Sequence, residues 1–147
     1  MALLFLASCK AEKRSLIIYN KDEKGNIQKE VSYPIKYGDH FSVEFTHSVN
    51  MSPVIEYYKF DKSYNIYVYE TRYYNYGAGV LTNIEGNETI EYGDDGSMII
   101  KGIDKKIDNL SYYLSDIYDH TLQINDNDPI SLWGIFGKNT IIYIKSE

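Results

Sequence analysis

Cysteine is almost absent. Cys9 is the only one in 147 residues, so the chain cannot close an intramolecular disulfide and must draw its stability from a packed core. Basic charge is also short. Fifteen Lys and Arg stand against twenty-one Asp and Glu, a formal charge of -6. No basic cluster offers the face that a phosphate backbone requires, which argues against a general nucleic-acid binder. A bilayer-spanning run is lacking too: the apolar opening, residues 2–7, is far shorter than the roughly 20 residues a transmembrane helix needs. Phosphate-loop, dinucleotide and nucleophile-elbow patterns do not occur. Ser48 beside His47 does not replace them, because adjacent strand residues point to opposite faces. Helical periodicity is confined to residues 104–115, where Ile107, Leu110 and Leu114 have helical spacing, although a twisted strand fits the same residues.

What the chain has in abundance is tyrosine, sixteen of them, a residue that favours strands and half-wet surfaces. Residues 1–9 read as a truncated lipoprotein-type signal: Leu6-Ala7-Ser8-Cys9 resembles a lipobox, with Cys9 as the residue to be lipidated. Residues 10–14 are a charged tether, and residues 15–147 form a single β domain undivided by repeat or linker. Lipid on Cys9, with palmitate among its acyl chains, would anchor that domain outside the cytoplasm.

Strand patterns then follow in close order. Residues 15–20 and 27–33 flank an Asp-Glu-Lys-Gly-Asn turn and read as a hairpin. Pro34 limits where the second strand can sit. Residues 40–47 alternate cleanly, with Phe41, Val43, Phe45 and His47 on one face. Residues 54–61 place Val54, Glu56, Tyr58 and Phe60 together, and residues 66–76 place Ile66, Val68, Glu70, Arg72 and Tyr74 together. A hairpin over 89–101 turns at Gly93-Asp94-Asp95-Gly96. Residues 116–124 put His120 in register with apolar neighbours, and residues 139–145 close the domain. The expected fold is all-β, a small antiparallel β-sandwich or partly open β-barrel with at most one short helix.

Three ionisable residues, His47, Glu70 and His120, each extend a run that otherwise faces the core, and Glu56 does the same on its strand. Buried polar groups must be paired, hydrogen-bonded or liganded. A shared polar pocket near the Gly77-Ala78-Gly79 bend would satisfy all four, with Ser48, Asn50 and Ser52 adding donors and oxygens. Two imidazoles and a carboxylate (His47, His120 and Glu70) could hold a divalent metal such as zinc. His47, Arg72 and nearby hydroxyls could instead hold a small anion. Competing explanations are plain: a hydrogen-bonded structural histidine, an ion pair of Glu70 with Arg72, and a Pro53 that merely ends a connection.

The segments THSVNMSPVIEYY (residues 46–58), ETRYYNYGAG (70–79) and DHTL (119–122) resemble the bacterial family known as "domain of unknown function 1850". The resemblance falls on His47, Ser48, Ser52, Pro53, Glu56, Glu70, Thr71, Gly77, Ala78, Gly79 and His120. It implies an exported or membrane-associated domain connected with tripartite ATP-independent periplasmic transporters. No biochemical activity and no catalytic residue accompany it. The expectation is a lipid-anchored, extracytoplasmic accessory or ligand-binding domain of a solute-uptake system. Its partners would be transporter subunits and a small solute or ion, not nucleic acid. The alternative is a metal-binding domain using His47, His120 and a carboxylate, with hydrolysis as its enzymatic extension.

Overall fold

A computed structural model describes residues 13–75 and 84–147. In chain order these form β1 (Arg14–Lys21), β2 (Ile27–Ile35), β3 (His40–Thr46), β4 (Pro53–Phe60), β5 (Ile66–Tyr73), β6 (Thr89–Tyr92), β7 (Met98–Lys106), β8 (Leu110–Leu114), β9 (Thr121–Ile124), β10 (Ile130–Ser131), α1 (Leu132–Phe136) and β11 (Thr140–Ser146). The strands make two antiparallel sheets, one ordered β2-β1-β11-β8 and the other β10-β9-β3-β4-β5-β7-β6. No ladder among the described residues joins the sheets, so the molecule is a sandwich and not a closed barrel.

Period-two alternation builds the core. Leu16 and Ile18 of β1, Leu110 and Leu114 of β8, and Ile142 and Ile144 of β11 face inward from the smaller sheet. They meet Phe41 and Val43 of β3, Tyr58 and Phe60 of β4, and Leu122 and Ile124 of β9. Each fully buried side chain of this size stabilises the fold by roughly 1.5–3 kcal/mol. Local turn chemistry agrees with the pattern. Asp22 Oδ1 accepts from the Lys24 and Asn26 amides, closing the β1–β2 hairpin around Gly25 at φ +83°. Pro34 lies on β2, the edge strand, where a missing ladder donor is tolerated.

Two segments depart from the sequence reading. Residues 104–115 contain no helix: they hold the end of β7 and all of β8. Leu110 and Leu114 are buried and Tyr112 half-buried, whereas Ser111 and Tyr113 are exposed, and the segment pairs with β11 from Leu110↔Ile144 to Leu114↔Thr140. The inter-sheet core selects that alternation over the helical spacing. The helix among the described residues is instead α1. Ser131 caps it, its Oγ accepting from the Gly134 amide at 2.9 Å. Asp119 holds the same end, accepting from the Trp133 amide at 2.9 Å and from the Ser131 hydroxyl. With Asp119 committed to the helix, the preceding strand shrinks to β9.

Two irregularities shape the site. Between β4 and β5 the register passes from Tyr58↔Val68 to Tyr57↔Glu70, leaving Tyr69 as an extra residue. On β7 the register with β5 jumps from Lys105 to Lys101. There Gly102 adopts φ +75°, and a Cβ on it would lie 2.7 Å from the Asn87 carbonyl oxygen, so the close approach requires glycine. Bulges of this kind re-aim side chains and often adjoin functional sites.

Candidate functional site

Glu56 is the acidic exception among the inward residues of β4. The ladders place it between Val43 of β3 and Thr71 of β5, which sets its carboxylate on the inner face of the larger sheet. Tyr58 donates to Glu56 Oε2 at 2.7 Å. Tyr112, from β8 in the opposite sheet, donates to the same oxygen. The two phenol oxygens lie 2.6 Å apart. Burial pushes both phenols well above their ordinary range, and the adjacent Glu56 acts in the same direction. They are therefore protonated donors near neutral pH. Hydrogen bonds to a charged acceptor contribute about 1.5–3 kcal/mol each, so this cluster ties the two sheets together.

The same carboxylate lines an open cavity of about 460 Å³. Val68, Thr71 and Tyr73 of β5 form one wall, and Ile100 and Ile103 of β7, with Ile107 after it, form another. Glu85, Glu88 and Lys105 also line it. The bulges explain the arrangement. After the extra Tyr69, Thr71 and Tyr73 face inward instead of Glu70 and Arg72, and Gly102 lets Ile103 join Ile100 on the cavity side. Burial, with Glu56 second, raises the Tyr73 phenol as well. Both hydrogen bonds to Glu56 fall on Oε2. Among the described residues nothing donates to Oε1, and no Lys, Arg or His pairs with the carboxylate.

His120 flanks this cluster. It is 8% exposed, stacked on Phe45 with ring centroids 5.7 Å apart, and meets the Tyr112 ring edge-on at 5.8 Å. Burial lowers its pKa, against the opposing pull of Asp119 and the Tyr118 carbonyl. Its enclosed Nδ1 has no hydrogen-bond partner among the described residues.

The family model described as "Domain of unknown function (DUF1850)" matches residues 41–130. The chain belongs to this family. No curated protein and no solved structure matches it. The matched stretch runs from β3 to the first residue of β10 and contains Glu56, Tyr58, Thr71, Tyr73, Tyr112 and His120. Strands β1, β2 and β11 lie outside it. The Glu56 cluster and the cavity residues on β4, β5 and β7 therefore fall within the DUF1850 part of the molecule.

Within this DUF1850 domain the four polar residues expected to share a pocket are dispersed. His47 belongs to the β3–β4 connection. Its Nδ1 accepts from the Val49 and Asn50 amides at 3.2 and 3.4 Å, and its backbone bonds to Met51 and Ser52. Ser48 is exposed, Asn50 half-buried and Ser52 buried in the same turn, which Pro53 ends at the start of β4. Glu70 lies on the outer face of the larger sheet, 3.1 Å from Arg72, whose guanidinium stands 5.7 Å from the centre of the Tyr57 ring. The bulge at Tyr69 is the physical reason: one extra residue reverses the side on which Glu70 and Arg72 emerge.

The expected metal set of His47, Glu70 and His120 does not assemble. Among the described residues no group of three His, Cys, Asp or Glu side chains is placed to hold a metal ion. Cys9, Gly77, Ala78 and Gly79 lie outside the described residues. Glu56 and His120 do share a neighbourhood, through Tyr112. Sequence reasoning missed Tyr112 because its strand carried helical spacing. Tyr58 was legible as sharing the face of Glu56, two positions after it, on a strand whose two faces are both partly apolar.

Proposed function

We propose that this DUF1850 domain is a noncatalytic, extracytoplasmic accessory of a solute-uptake system and that it binds a small solute in the Glu56 cavity. The cavity carries the reading. Its volume of about 460 Å³ falls in the range of small-molecule sites, roughly 300–1,000 Å³. Val68, Ile100, Ile103 and Ile107 give it apolar walls, and one of its polar groups, the Glu56 carboxylate, is oriented by two protonated phenols. Such a lining fixes a ligand through a few placed polar contacts while apolar walls supply area. The clamped phenols are unsuited to accept protons near neutrality, which favours recognition over acid–base turnover. The transporter in this reading is of the tripartite ATP-independent periplasmic class, the association that the family resemblance implies. Cys9 is the proposed lipid attachment point.

Two measurements test the proposal. Gentle crosslinking in membranes followed by affinity capture should recover transporter subunits, and repeated recovery of none would overturn the accessory role. A thermal-shift screen of small cationic, neutral and anionic solutes should find at least one that stabilises the chain but not an Ile103→Trp variant with a filled cavity. A screen in which no solute raises Tm removes the binding role. Incorporation of a labelled lipid precursor into the parent, and not into Cys9→Ala, tests the anchor.

A further inference from the structure

The Glu56 cavity has a chemical preference, and the argument for it rests on the solute-binding reading above. We infer that the cavity takes a small organic cation, an ammonium group on an apolar body, with Glu56 Oε1 as its anchor. Three features converge on this class. First, the carboxylate is divided in its duties: Oε2 accepts from Tyr58 and Tyr112, and no described residue donates to Oε1. Second, no described Lys, Arg or His neutralises the carboxylate, although it sits among Val68, Ile100 and Ile103. The two phenols serve Oε2 but carry no charge, and a ligand ammonium supplies Oε1 with both a donor and a counter-charge. Third, Tyr73 lines the same space, and a tyrosine ring attracts a cation over its face.

The rest of the lining agrees with the sign. Glu85, Glu88 and Lys105 line the cavity with Glu56, three acids against one base, which leaves it net negative. The whole chain carries a formal charge of -6, so the long-range field also favours a cation. An anionic solute would have to place its charge beside Glu56. A neutral alcohol could donate one hydrogen bond to Oε1 but would leave the charge uncompensated.

The test is a charge series on one apolar body, titrated into the isotopically labelled full chain and followed by amide chemical shifts. The probes are 2-phenylethylammonium, 2-phenylethanol and 3-phenylpropanoate. The ammonium should shift the amides of Thr71 and Ile103 and bind at least about tenfold tighter than the alcohol, with the carboxylate weakest. Glu56→Gln keeps an acceptor for both phenols and should abolish the preference for the ammonium. Lys105→Glu removes the opposing charge and should tighten ammonium binding about two- to threefold.

Equal or tighter binding of the alcohol or carboxylate at these amides overturns the cation assignment and leaves the solute-binding reading standing. No shift with any probe overturns the assignment, and the reading then falls or stands on the wider solute screen. A preference that persists in a folded Glu56→Gln protein overturns the role of Glu56. Should Glu56→Gln fail to fold, the series on the unmodified chain and on Lys105→Glu decides the matter.

Discussion

Glu56 and Glu70 are the same acid on paired strands of one sheet, yet their surroundings are opposed. Glu70 emerges on the outer face and finds cations: Arg72 at 3.1 Å, with Lys101 opposite it in the ladder. Glu56 emerges on the inner face and, among the described residues, finds only neutral donors, Tyr58 and Tyr112, the second from the other sheet. A carboxylate paired with cations is a finished interaction. One clamped through a single oxygen, with no cation paired to it among the described residues, is a structural link with chemistry to spare. The residue that sorts them is Tyr69, whose insertion moves Glu70 out of the face that alternation from Ile66 and Val68 would assign it.

The sharpest test of this contrast is truncation of each acid. Glu56→Ala removes two charge-assisted bonds, the one from Tyr112 crossing between the sheets, and should cost about 2–3 kcal/mol in urea unfolding, partly offset because the phenols can pair with each other. Glu70→Ala, which breaks a partly buried pair but leaves Arg72 access to solvent, should cost about 1 kcal/mol. Equal losses would break the comparison. A smaller effect comes from Tyr112→Phe. The ring still packs on Phe45 and His120, so only the hydroxyl's contacts with Glu56 and Tyr58 are lost, a decrease of about 1–2 kcal/mol. Tyr113→Phe, on the outer face with its hydroxyl bonded to Asn139, is the control and should change stability by less than about 0.5 kcal/mol.

Much of this contrast was legible in the residues, and the part that was not has a common cause. Alternation on β3 located Phe41 and Val43 in the core, and on β4 it grouped Glu56 with Val54, Tyr58 and Phe60 without deciding which of two partly apolar faces points inward. Turn chemistry located the hairpins at Gly25 and at residues 93–96. These are local signals, and local geometry obeyed them. What failed depended on partners distant in sequence. The Tyr69 bulge is set by pairing with β4 and β7, and nothing in the local pattern of residues 66–76 announces it. The spacing of Ile107, Leu110 and Leu114 suits a helix in isolation, but β11 offers an unpaired strand edge that captures the segment. Tyr112 was lost with it, and with Tyr112 the recognition that Glu56 bridges the sheets. His47 misled differently: its parity was correct to the end of β3, but the strand stops at Thr46 and the next residue turns.

A third test uses pH on the flank of the Glu56 cluster. The folded pKa of His120 lies below its ordinary 6.5 because burial penalises the cation. Above that ordinary value both folded and unfolded chains hold a neutral imidazole, and its contribution to stability is fully present. As the pH falls from 6.5 toward the lower folded value, the unfolded chain takes up the proton first, so stability declines. Its slope from one histidine cannot exceed about 1.4 kcal/mol per pH unit. His120→Phe keeps an aromatic ring beside Phe45 and should flatten the decline between about pH 7 and 5.5, read from urea midpoints. The carboxyls of Asp22, Asp61 and Asp95, held low chiefly by turn hydrogen bonds, are common to both proteins and cancel. An undiminished slope in the variant would remove His120 as its source.

A small expected effect separates turn from site at His47. Its Nδ1 accepts from amides two and three residues ahead, the geometry by which Asn or Asp side chains cap turns. If that acceptor is what the position requires, His47→Asn should retain most of the stability that His47→Ala loses, about 0.5–1 kcal/mol by thermal or urea unfolding. The cavity supplies the second readout. His47 is not among its described lining residues, so neither substitution should change solute binding there by more than about twofold. A His47→Asn protein that is as stable as the parent but has lost solute binding would move His47 from the turn to the site. It would also reopen the neighbourhood that Glu56 is here assigned to anchor alone.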